Sequence, residues 1–274
     1  MPMSERQLDF FSENGVGVEQ GPSLGVGPAL VLSEIDDEGV IAAIPKSSLA
    51  DTNALAAEAG RRRLAAAVPA LATLCRRFAG FGTRRPVAEQ VAAIEALVMI
   101  GGRDAAHAVS QLIERAEVQE PTLPIAVSAA ARLGSTLSPD ALRRLLRHAE
   151  PSIRADACRC ARPSPDVILI LIDLLDDLDR RVAMSAASAL GRMGRNEARP
   201  ILKGLLHDDP SAEVIDAVSS IADEECAVLL GRIARSRPAL ADAALISLEN
   251  IDDARAATIA AAVRRLRPCA SMSL

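Results

Sequence analysis

One stretch constrains the whole chain: Arg180 to Pro210, RRVAMSAASALGRMGRNEARPILKGLLHDDP. Val182, Ala186, Ala189, Leu190 and Met193 recur at helical spacing and make one apolar stripe. Gly194 follows, where a left-handed backbone is cheap only without a Cβ. Ala198, Ile201, Leu202, Leu205 and Leu206 repeat the stripe, with Pro200 in the first turn, where a missing N–H is tolerated. Two helices this short cannot bury both stripes on each other. They need neighbours of the same shape.

The sequence supplies those neighbours. AVPALATLCRRF matches EARPILKGLL at a constant offset of 131 residues, Pro69 with Pro200, Leu71 with Leu202 and Leu74 with Leu205. Ala93, Ala96, Leu97, Ile100 and Gly101 precede Ala186, Ala189, Leu190, Met193 and Gly194 by 93 residues, three repeats of 31. Helix pairs are expected at 49–84, 87–118 and 121–150, the last with Gly134 as a stop and Ser138–Pro139–Asp140 as a capped start. Others are expected at 151–179, 211–238 and 239–267. The prediction is an all-α fold, a right-handed α-solenoid of about six to seven helix pairs with a period near 30 residues. The solenoid should occupy 48–267, with Arg264, Arg265 and Arg267 solubilising its last helix and 268–274 as a frayed tail.

Residues 1–47 differ in kind. They hold eight acids and two bases, with Gly15, Gly17, Gly21, Gly25 and Gly27 interspersed. This reads as a flexible acidic segment. The runs ALVLSEI and VIAAIP, around DDEG, suggest a short β-hairpin at 29–45. The repeat body, with 28 acids and 29 bases, is nearly neutral. Bulk charge therefore does not favour a nucleic-acid partner. With no Trp or Tyr and an apolar content rich in Ala and Leu, the core should be closely packed helices. No long uncharged apolar run suggests a membrane span. The start lacks signal-peptide character, and five cysteines without framework spacing read as free thiols in a cytoplasm.

AASALGRMGRNEARPILKGLL resembles the HEAT-like repeats first described in phycobilin lyases, with the pattern AAxALGxIGdxxAxxxLxxxL. The resemblance implies a fold shared by bilin lyases, an iron-containing hydroxylase, alkyl-base DNA glycosylases and many adaptors. The hydroxylase branch uses His-Glu dipeptides, yet His107, His148 and His207 are followed by Ala108, Ala149 and Asp208. No metal or cofactor is therefore expected. The glycosylase branch needs stacking aromatics and a basic concave face. Second helices should line that face, and their column Glu114, Arg147, Asp176, His207, Arg235 and Arg264 alternates in sign through its middle. Arg143, Arg144 and Arg147 make a local basic patch, either a partner site or a solvated helix face. Cys158 and Cys160 fall at Ala positions of the repeat and read as core residues. The acidic runs at 176–179 and 207–209 read as caps for the helices that follow. No nucleophile elbow or phosphate loop occurs, and no catalytic residue is assigned.

Gln7-Leu8-Asp9-Phe10-Phe11 resembles the peptide that bacterial replication and repair proteins insert into the sliding clamp. The resemblance implies Gln7 as polar anchor and Leu8, Phe10 and Phe11 as plugs. Phe10 departs from the usual Leu. The same aromatics also suit packing back on the solenoid. The leading expectation is a non-catalytic bacterial scaffold or adaptor that binds another protein. The alternatives are a bilin-lyase-like accessory and a repair accessory tethered to the clamp.

Overall fold

The computed structural model describes residues 34–81 and 84–266. Every regular element among them is helical. A short helix, α1 (Asp37–Ala43), precedes seven pairs. These are α2 (Leu49–Arg61) with α3 (Val68–Arg77), α4 (Ala88–Ile100) with α5 (Gly102–Glu114), and α6 (Leu123–Arg132) with α7 (Pro139–Leu146). Then follow α8 (Pro151–Arg159) with α9 (Pro165–Asp173), and α10 (Arg180–Arg192) with α11 (Arg199–Asp208). The series ends with α12 (Ala212–Ser219) and α13 (Glu224–Ser236), then α14 (Ala241–Asn250) and α15 (Ala254–Leu266).

Neighbouring pairs stack to form an α-solenoid. First helices pack in one row, α2 on α4 and so on through α6, α8, α10, α12 and α14. Second helices form the other row, with contacts of α3 on α5, α7 on α9, α11 on α13 and α13 on α15. A continuous core of mostly Ala, Val, Leu and Ile runs between the rows from Val40 to Val263. Each repeat buries its stripe against the next, as a linear stack requires. Small residues bring the first helices into main-chain contact. A Cβ on Gly191 would lie 2.5 Å from the Ala217 carbonyl oxygen, and one on Gly60 2.9 Å from the Ala96 Cα. Those two glycines are themselves 131 residues apart.

The repeat offsets of the sequence hold in space. The 3-10 turn Ala65–Ala67 leading into α3 recurs as Asn196–Ala198 leading into α11. Gly101 at φ 70° and Gly194 at φ 71° both take a positive φ just past the ends of α4 and α10. Ser138 caps α7 by accepting from the Ala141 amide at 3.4 Å.

Three expectations need correction. Where the second arm of the hairpin was expected, the chain is α1, with Val40 and Ile44 fully buried one helical turn apart. Asp36 caps this helix by accepting from the Gly39 amide at 2.8 Å. Arg62 anchors it, donating to the Ile35 carbonyl at 2.8 Å and to Asp37 at 2.9 Å. Packing on α2 decides a run whose spacing fits either element; residues 29–33 lie outside the described residues. Second, the acidic runs divide. Asp179 does cap α10, accepting from the Arg181 amide at 2.8 Å, whereas Ser211 caps α12 in place of the 207–209 run. Pro210 makes Ser211 the residue that enters the helix. Third, the packed body begins before Ser48, since α1 and the 3-10 turn Ile44–Lys46 rest on α2 and α3.

Candidate functional site

The second-helix row carries a groove of about 560 Å³ over α11, α13 and α15. Its floor is Pro200, Gly204, Val228 and Leu229, and its walls are Lys203, His207, Asp208, Glu224, Glu225 and Arg255. Helical spacing places Pro200, Lys203, Gly204 and His207 on one exposed edge of α11. Across the groove Lys203 pairs with Glu225, and Arg255 of α15 pairs with Glu224. Hydrogen bonding to Glu225 raises the Lys203 ammonium pKa above its ordinary value. The walls are thus cross-braced, and the rim keeps a slight excess of carboxylate through Asp208.

Gly204 is the informative residue of this floor. Glycine inside a helix costs about 1 kcal/mol against alanine. At Gly191 close packing explains the glycine; at Gly204 an added Cβ would meet nothing within 4 Å. No close contact inside the chain requires a glycine at 204, and its lack of a side chain leaves the groove lining flat there. The signal was present in the sequence as a glycine at an outward position of an otherwise strong repeat.

The sequence-derived basic patch is not assembled. Arg143 reaches forward to Asp166 of α9 at 2.8 Å and also pairs with Asp140. Arg144 reaches back to the Ile113 carbonyl of α5 at 3.1 Å. Their guanidinium groups tie opposite neighbours, which leaves Arg147 alone. In the wider column, Glu114 accepts from the Ser138 amide at 2.6 Å and Arg264 pairs with Glu249. Gln7, Leu8, Phe10 and Phe11 lie outside the described residues.

The first-helix row has smaller clefts. One of about 300 Å³ between α8, α10 and α12 and one of about 330 Å³ between α4, α6 and α8 share Ser152 and Asp156. Burial raises the Asp156 carboxyl above its usual range, despite Arg159 at 3.3 Å. The thiols of Cys75, Cys158, Cys160 and Cys226 are buried and free. Burial pushes Cys75, Cys158 and Cys160 up to about 12 and Cys226 to about 11. In this state they are packing groups, not nucleophiles. Among the described residues no three His, Cys, Asp or Glu side chains are placed to hold a metal. No helix among them is long and apolar enough to cross a membrane.

A family model described as HEAT repeats matches residues 139–222. Among solved structures, the chain is similar to one in the complex of CpcE and CpcF of phycocyanin lyase from Nostoc sp. PCC7120. That match has a TM-score of 0.52 and 19% identity, and covers 90% of this chain and all of the other. At that identity the likeness concerns the fold. No curated protein matches.

Proposed function

We propose that this chain, a HEAT-like repeat solenoid, is a non-catalytic cytoplasmic scaffold that holds a protein partner in the groove over α11, α13 and α15. The observation that carries this reading is Gly204, open to solvent at the centre of a groove spanning three successive second helices. Its apolar floor and braced charged walls suit a helix or extended segment whose backbone approaches closely at Gly204. A carboxylate excess at the rim favours a partner with a basic flank.

The test is capture from host lysate with the full chain, Gly204→Trp and Val228→Asp, with bound proteins identified by mass spectrometry. Both variants are expected to fold, since each site faces open space or is partly exposed. A partner held by the full chain and lost by both variants supports the groove. A partner kept by both overturns it. A chain beginning at Glu34, which retains α1, separates off binding through residues 1–33. Loss of the sliding clamp on that truncation would favour the repair-accessory reading.

Fold likeness to the phycocyanin lyase complex favours a second reading, a bilin-handling accessory. The groove argues against it. A bilin presents two propionates, and both groove cations are already paired with Glu224 and Glu225. A bilin absorbance change on titration, abolished by Lys203→Ala and Arg255→Ala, would restore that reading.

A further inference from the structure

From residue 59 to residue 88 the chain has seven arginines and no acidic residue. Arg61 and Arg62 are consumed by Glu58 and Asp37 beside α1. Arg63 lies in the connection between α2 and α3, and the other four lie at the turn after α3, residues 78–87. Arg76 and Arg77 end α3, and Arg84 and Arg85 lie in the turn itself. Lys46 precedes Ser47, whose carbonyl accepts from Arg77 at 3.3 Å. Lys46, Arg76, Arg77, Arg84 and Arg85 are all exposed, and none has an ion pair among the described residues. A role as helix C-terminal cations accounts for Arg76 and Arg77. It does not account for Arg84 and Arg85, which belong to no helix.

The same turn holds two of the four phenylalanines of the chain. Phe78 packs partly against the core, with the Arg77 guanidinium 5.5 Å from its ring centre. Phe81 stands edge-on to Phe78 at 6.2 Å and is 65% exposed. The solenoid supplies its own controls. The turns after α5, α7, α9 and α11 occupy equivalent places, and each carries acid: Glu117, Glu150, Asp177 and Asp209; the turn after α13 has Arg237 and no acid, but it is four residues long and has no aromatic ring. The turn after α11 closes in three residues, whereas the turn after α3 takes ten. This turn alone is long, basic and aromatic, on a frame where loops are free to carry function.

We propose that the surface at the end of α3 binds single-stranded nucleic acid, with Phe81 as a stacking platform and Lys46, Arg76, Arg77, Arg84 and Arg85 as phosphate contacts. An exposed ring beside guanidinium groups that form no ion pair among the described residues matches an unstacked base on a charged backbone. A duplex has its bases already stacked and gains less from Phe81. The slight overall negative charge of the chain does not oppose this, because screening limits its influence to about 10 Å at 0.1 M salt.

The experiment is fluorescence anisotropy of labelled dT20 and rU20 with the full chain between 50 and 200 mM KCl. Binding is expected to weaken steeply with salt. Arg84→Ala with Arg85→Ala should flatten the log–log salt slope by about 1.4. Phe81→Ala should weaken binding at least about fivefold with the slope unchanged. Arg235→Glu, a charge reversal on the exposed face of α13, should change little. No binding at 50 mM salt overturns the proposal. So does an unaltered affinity in Phe81→Ala, which would leave an acidic protein or an anionic membrane as the occupant. An Arg235→Glu loss equal to that of the turn variants would show bulk charge alone and overturn it equally. Circular dichroism checks that each surface variant keeps its helices.

Discussion

The turn after α3 and the turn after α9 occupy equivalent places in the solenoid and have opposite chemistry. The first leaves its cations unpaired around an exposed ring. The second, residues 174–179, is acidic and closed on itself. Arg154 donates to both Asp177 carboxylate oxygens at 2.8 and 2.9 Å, and to the His148 and Ala149 carbonyls at 2.8 and 2.9 Å. The Asp177 side chain is only 8% exposed, and it also accepts from the Asp179 amide at 2.8 Å. The guanidinium beside it holds its carboxyl below the usual carboxylate range, against the opposing effect of burial. One turn therefore spends its polar groups on joining repeats, and the other keeps them for the outside. In a repeat protein the helices must satisfy the frame, so individuality collects where the frame does not decide the residue.

The sharpest way to break this contrast is Arg154→Ala, which strands Asp177 in a nearly buried site. A loss of about 3–5 kcal/mol in urea denaturation is expected. Arg84→Ala with Arg85→Ala should remain within about 0.5 kcal/mol of the parent chain. Near-equal values for the two would end the distinction between a joining turn and an outward one.

A gentler probe is Asp177→Asn, expected to cost about 2 kcal/mol near neutral pH. Because the folded pKa of Asp177 is depressed, its contribution is present above the unfolded carboxylate value near 4 and disappears as pH falls through the folded value. Denaturation from pH 7 to pH 2 should show the parent losing this increment on the acid side. The Asn variant should have a flatter acid limb.

Two helix glycines sharpen the same point away from the turns. Gly191→Ala forces a Cβ against the Ala217 carbonyl oxygen and Leu202, and should destabilise by about 1–3 kcal/mol. Gly204→Ala meets open space and should stabilise by up to about 1 kcal/mol. Thermal melts of the two variants decide whether the groove glycine is kept for packing or for something outside the chain.

The frame was legible in the sequence because it is periodic. Offsets of 131 and 93 residues align Pro69 with Pro200 and Gly101 with Gly194, and the 3-10 turns before α3 and α11 keep the first of those offsets. What escaped was aperiodic. Asp36, α1 and Arg62 form one local arrangement, and VIAAI alone fits a strand as well as a helix. Arg154 is a half-buried polar position on the first helix of its pair, and nothing in its spacing announces a partner 23 residues away. The pairing of the basic patch was hidden in the same way: sequence shows that Arg143 and Arg144 are adjacent, but not that they reach opposite neighbours. The groove was half visible, since His207 stood in the expected column while Gly204 looked like an ordinary weak spot in a helix.

Arg154 also bears on how such a molecule comes apart. A linear stack has no long-range closure, so it unzips from its ends, one pair at a time, unless something makes neighbours open together. Arg154 grips the entrance to its own pair and the entrance to the next. Its two bonds to Asp177 tie α8 to the turn that enters α10, and its two bonds to the His148 and Ala149 carbonyls tie α8 to the turn that leaves α7. The middle of the chain therefore behaves as a clasp between two fraying arms. Unravelling that begins at α1 or at α15 is expected to slow where it meets this clasp.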